Sequence, residues 1–188
     1  MQGPSSKRFD PVTSRLFVGA IHDGLRAYDG RRVGDERPCP RCESSALRRN
    51  GYQRARKTFA RLITDSGFEE VGVEVQQYEC KECGRSFQGD LSEWFYDRCE
   101  YAKPVVDLCR FHAVGNTYGG CERLLQRLYG LQVDRDTIKR YDERFEGRPP
   151  REQAVRIGGE AVSLPFLSFL FGEDDGQQFV LSSHTALW

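Results

Sequence analysis

No apolar run in this 188-residue chain is long enough to cross a bilayer. The longest, AVSLPFLSFLF at residues 161–171, has 11 residues, against about 20 for a spanning helix. The N-terminus lacks the basic start and apolar run of a signal peptide, so an intracellular, cytoplasmic protein is expected. Net charge is also lacking, since 28 Lys and Arg balance 28 Asp and Glu, and this excludes a simple polycation. Hydrophobic residues reach only 38 %, which is lean for one large core; one ordinary core or a few small modules are both open.

The neutral total conceals an uneven distribution. Between positions 31 and 61 there are ten Arg or Lys against three acids, whereas positions 65 to 79 hold five acids and no base. Such asymmetry is expected where one face meets a polyanion. Arg48, Arg49, Arg54, Arg56 and Lys57 are the candidate phosphate contacts.

Seven cysteines are an odd number, and four of them form two CxxC pairs, Cys39/Cys42 and Cys80/Cys83. That favours metal ligation in a reducing compartment over a disulfide scaffold. Four thiolates on two facing turns match the tetrahedral demand of zinc, and Gly84 lets the chain turn after the second pair. A thioredoxin-like redox role is disfavoured because neither CxxC opens a helix after an apolar strand. No water-activating acid joins the pattern, so the zinc is expected to be structural. Cys99, Cys109, His112 and Cys121 could be imagined as a second site, but the outer two lack knuckle spacing and read as core.

Local patterns give a coarse map. RLFVGA (15–20) reads as a short strand in an otherwise loose arm, and residues 52–63 as a short basic amphipathic helix. Val71, Val73 and Val75 alternate in a strand that runs into the second knuckle. Residues 91–115 are expected to be mainly helical, with a restart at Pro104. Pro149 and Pro150 mark a linker, and the C-terminal segment reads as two strands about the turn GEDDG. The expected class is α+β: an arm (1–37), a small four-cysteine zinc-ribbon module (38–90), a helical helix-turn-helix domain (91–147), and a linker with a short β-hairpin (148–188).

The helix-turn-helix expectation rests on YGGCERLLQRLYGLQVDRDTIKRYDERF. Leu124, Leu125, Leu128, Val133, Ile138 and Tyr141 form the inward set, and Asp134 is the candidate N-cap. Arg135, Asp136, Thr137, Lys139 and Arg140 are expected outward, where a second helix reads a major groove. An ordinary helical hairpin with a solvated charged face has the same pattern.

Cys39, Cys42, Cys80, Cys83, Gly84 and Phe87, followed by Gly130, Val133, Asp134, Thr137, Ile138, Arg140 and Tyr141, resemble the N-terminal part of prokaryotic insertion-sequence transposases. The likeness spans residues 39–145, about 57 % of the chain. It implies recognition of element ends on double-stranded DNA, DNA recombination as the process, nucleoid association, and a second copy or a catalytic partner chain as companions. In that family an RNase H-like domain with three acidic residues and divalent metal follows. Here only 43 residues follow Phe145, and Asp174 and Asp175 fall in an expected turn. A truncated form is therefore expected, with no catalytic residue named and no strand-transfer chemistry of its own. The alternatives are a zinc-stabilised protein-interaction or transcription-regulatory module, and a subunit of an active metal-dependent transposase.

Overall fold

The computed structural model describes residues 11–145, 154–157 and 160–172, with side chains from Arg15 onward. The chain is mixed α+β, built around one long strand. In order the elements are α1 (Pro11–Arg26), β1 (Arg32–Val33), β2 (Leu47–Tyr52), β3 (Lys57–Thr64), β4 (Gly67–Cys80) and β5 (Ser86–Gln88). These are followed by α2 (Lys103–Ala113), α3 (Tyr118–Leu124) with a π-helical turn (Leu125–Tyr129), α4 (Arg135–Arg144), β6 (Ala154–Ile157), β7 (Glu160–Ser163) and α5 (Leu164–Phe171).

Every strand of the larger sheet pairs with β4. β3 lies antiparallel to its first half, with Thr64 opposite Gly67, and β1 runs parallel to it at Glu74 and Val75. β2 and β5 flank its last residues, both antiparallel. Alternating Val71, Val73 and Val75 turn inward, each no more than 1 % exposed, as a half-buried strand requires. They meet Ile21 and Leu25 of α1, Phe59 and Leu62 of β3, and the helices behind in one continuous core.

Four local expectations are corrected. Residues 52–63 are not a helix but the end of β2 and most of β3. A bulge between Thr58 and Ala60 buries Phe59, Ala60 and Leu62 together. That spacing imitates a helical stripe, whereas the cause is an extra residue in a strand. RLFVGA is not a strand; it lies within α1, where Phe17, Ile21 and Leu25 recur at i, i+4 and the last two are fully buried. Residues 91–102 form consecutive hydrogen-bonded turns, including Phe95 N–H to Leu91 O and Cys99 N–H to Tyr96 O, and the helix starts only at Lys103 with Pro104 in its first turn. Last, LPFLSFLF is helix α5. Ser163 Oγ caps it, accepting from Phe166 N–H at 3.4 Å, and Pro165 stands in the first turn. The strand pair lies one step earlier, as the β6–β7 hairpin. The linker prolines and the acidic turn after Gly172 fall outside the described residues.

The turn between α3 and α4 is stitched to the sheet. Ile63 N–H donates to Gly130 O at 2.7 Å, Gln132 N–H donates to Arg61 O at 2.9 Å, and Leu62 faces Leu131. The helical hairpin is therefore fixed beside the turn end of the β3–β4 ribbon, where Thr64 faces Gly67.

Candidate functional site

The two knuckles have the same backbone. In the first, Cys39 N–H donates to Ser44 O (3.0 Å) and Glu43 N–H returns to Cys39 O (2.9 Å). In the second, Cys80 N–H donates to Arg85 O and Gly84 N–H to Cys80 O, both at 2.9 Å. The residue after each second cysteine takes the left-handed conformation, Gly84 at φ 68° and Glu43 at φ 58°. The sequence announces this only at Gly84. β4 delivers Cys80, and its cross-strand partner Leu47 opens β2 just after the first knuckle, so sheet register brings the two turns together.

The four sulfurs lie within 4.8 Å of one another, with Cys39 to Cys83 at 3.6 Å and Cys42 to Cys80 at 3.5 Å. A tetrahedron with bonds of about 2.3 Å needs sulfurs about 3.8 Å apart, so the set can hold a metal ion. Its electrostatics point the same way. Burial resists ionisation of Cys39, but the amides of Arg41 and Cys42 and the neighbouring thiols outweigh it and bring the group down to about 6. The Cys83 amide leads in holding Cys80 below the usual thiol value. At Cys42 the Ser44 amide favours the thiolate, yet contact with the Cys80 sulfur and its neighbours pushes the group up to about 12. Thiols packed this closely oppose one another's ionisation, an opposition that a cation among them would relieve. Among the described residues this is the only group of three or more His, Cys, Asp or Glu side chains close enough to share one ion. Cys99, Cys109 and Cys121 are buried in the helical core, and His112 Nε2 lies 2.8 Å from Tyr129 Oη.

At the far end of β4 stands α4. Asp134 caps it, its carboxylate accepting from Asp136 N–H (3.1 Å) and Thr137 N–H (2.9 Å). Ile138 and Tyr141 are buried at 0 % and 2 % exposure, and Leu125 and Leu128 of the preceding helix are buried with them; Leu124 is only half-buried. Arg135, Asp136 and Lys139 project outward, 71 %, 83 % and 53 % exposed, and Arg140 is exposed. Thr137 departs from the expected outward set. It is 3 % exposed, donates through Oγ1 to Asp134 Oδ2 (2.8 Å), and accepts from Arg140 Nη2 (2.7 Å). A residue three positions past the cap faces the capping carboxylate rather than solvent, which is the physical reason. Asp136 is not the cap, although it lies in the first turn where the helix dipole favours a carboxylate.

The basic run and the acidic stretch turn out to be strand neighbours. Arg48 pairs with Glu79 at 2.8 Å, Arg61 with Glu70 at 3.5 Å, and Arg32 with Glu74 at 3.5 Å. Arg56 holds Asp29 through both oxygens at 3.1 and 3.2 Å. Lys57 is half-buried and donates to Cys99 O at 2.9 Å, and burial lowers its pKa. Arg49 lies 4.0 Å from Glu36, and Arg54 is exposed. Arg48 and Arg56 are thus paired within the fold while their side chains stay half or more exposed, and Lys57 is turned toward the Cys99 carbonyl.

Leu62, opposite Glu69, also meets Leu131, while Cys80 lies eleven residues farther along β4. At about 3.3 Å per residue the cysteine cluster and the α3–α4 turn stand about 35 Å apart along the strand. No helix among the described residues is long and apolar enough to cross a membrane. No family model matches the chain, and neither a curated protein nor a solved structure matches it.

Proposed function

We propose that this chain is a zinc-containing, sequence-directed double-stranded DNA-binding protein in which the α3–α4 pair serves as a helix-turn-helix and the four-cysteine ribbon as a structural module. The observation that carries the reading is α4 itself. Its buried face anchors it through Ile138 and Tyr141, while Arg135 at its start and Lys139 and Arg140 at its middle occupy the exposed face. Arginine pairs bidentately with guanine, and the N-terminal turn of a recognition helix is the part that meets base edges. Zinc suits four thiolates with no open position, so its contribution is to folding rather than to a reaction. The resemblance to insertion-sequence transposases makes an element end the proposed target, in a cytoplasmic, nucleoid-associated protein without strand-transfer chemistry of its own.

The test is a binding titration with a duplex selected by the wild-type protein from a random library, against a scrambled duplex. R135A or R140A should each cost about 1–3 kcal/mol of specific affinity if the side chain meets a base edge. Replacing Arg49 and Arg54 together should weaken both duplexes alike and flatten the salt dependence. Unchanged specific binding by folded R135A and R140A proteins would remove the recognition-helix assignment.

A second reading, a zinc-stabilised protein-interaction module, is favoured by Leu16 and Phe68, which stand 72 % and 67 % exposed. Failure of the wild-type protein to select any duplex would move the conclusion there.

A further inference from the structure

Among the described residues only two other than glycine have positive φ, Glu43 at 58° and Arg98 at 53°. The knuckle geometry accounts for Glu43. Arg98 has no such reason. It sits third in the turn from Tyr96 to Cys99, closed by Cys99 N–H to Tyr96 O at 3.1 Å, a position that glycine fills without the steric conflict an arginine meets. The turn is held from both sides. Tyr96 Oη donates to Asp107 at 3.0 Å, Lys57 Nζ donates to Cys99 O at 2.9 Å, and the Cys99 side chain is buried.

This frame places Asp97 and Arg98 in solvent, each 84 % exposed, next to the last turn of α4. Two guanidinium groups converge there on one carboxylate oxygen. Arg98 Nε lies 3.5 Å from Asp97 Oδ2, and Arg144 Nη2 lies 3.8 Å from the same atom. Two arginines from separate elements around one exposed anionic oxygen are the arrangement that recognises a phosphodiester.

We propose that Arg98 and Arg144 form a phosphate clamp on duplex DNA, and that Asp97 Oδ2 holds the phosphate position in the free protein. The proposal rests on the reading of α4 as the DNA-facing helix. A ten-residue helix is about 15 Å long, so bases met at Arg135 and Arg140 leave Arg144 and the neighbouring turn beside the flanking backbone. Asp97 then acts as an internal competitor, displaced when DNA binds, and it weakens binding to every duplex rather than to one sequence.

The test uses the full chain and the same labelled duplexes, selected and scrambled, titrated by fluorescence anisotropy over a salt series. Arg98→Gly relieves the backbone and removes the guanidinium together. Its melting temperature should stay level or rise while affinity for both duplexes falls about tenfold, and the slope of log affinity against log salt should drop by about 0.9. Asp97→Asn should tighten both duplexes. If R98G binds both duplexes as wild type does, with the same salt slope, while R140A loses specific affinity, the clamp is wrong and the recognition helix stands. If D97N does not tighten binding, the role of its carboxylate as a phosphate stand-in is wrong. A wild-type protein that binds no duplex overturns both this proposal and the reading beneath it.

Discussion

His22 Nε2 lies 3.1 Å from the Gly130 carbonyl, joining the first helix of the chain to the turn between α3 and α4 across 108 residues. The imidazole contributes its N–H here, since a carbonyl can only accept. Gly130 has φ 63°, and a Cβ on it would come within 2.7 Å of Val18 and would collide with His22. Gly130→Ala therefore meets two obstacles, the left-handed backbone and the loss of space. We expect a loss of about 2–4 kcal/mol in urea unfolding. Pairing it with Val18→Ala should recover part of that loss, and a G130A protein as stable as wild type would refute the packing argument.

Burial of the same imidazole makes stability depend on pH. Burial holds His22 below the usual histidine value of 6.5, against the weaker opposing pull of the Gly130 carbonyl. Arg26 also lowers it, whereas Glu69 and Asp23 raise it. Below pH 6.5 the unfolded chain then binds more protons than the folded one. This contribution is complete above pH 6.5, shrinks as pH falls through the window below it, and levels off under the folded value. Unfolding curves between pH 7.5 and about 5 should show the decline, and His22→Gln should flatten it. An equal slope in the variant would assign the effect to other groups.

The matched knuckles make a paired prediction. Glu43 occupies the position that Gly84 occupies in the twin turn, both left-handed. Glu43→Gly should be neutral or stabilising by up to about 1 kcal/mol, and Gly84→Ala should destabilise by about 1–2 kcal/mol. Thermal melts of the two metal-loaded variants check this, and a shift of the same sign in both would contradict it.

Metal removal should act locally first. The cluster ties the β2 and β5 ends of the sheet to the first knuckle, while α2, α3 and α4 pack on the core at the other half of β4. We expect one zinc per chain by elemental analysis, lost on Cys39→Ser or Cys80→Ser. Chelation should raise amide exchange in residues 39–52 and 78–88 well before α4. Simultaneous exchange throughout would mean that the metal holds the whole fold.

The cysteine pairs, the valine alternation of β4, the cap at Asp134 and the inward residues of α4 were legible because each is a local rule. A CxxC turn, a period of two and a helix start are all set by neighbours a few positions apart. Phe59, Ala60 and Leu62 misled because a bulge changes the period of a strand, and only the pairing with β4 requires that bulge. Phe17, Ile21 and Leu25 did carry a helical period, but Gly19 and Gly24 within the segment obscured it. Thr137 was assigned by helix geometry alone, without the Asp134 carboxylate that turns it inward.

Charge shows the division most clearly. The order of the residues alone sets a basic run before an acidic one and puts four thiols on two similar turns that could meet one ion. Folding sets Arg48 and Arg61 on neighbouring strands opposite Glu79 and Glu70 of β4, and brings Arg144 to Asp97 from another element. Composition fixes how many charges there are. Which of them remain free to meet a partner depends on strand register and helix docking, which follow from burying Val71, Val73 and Val75 against residues far away in the chain.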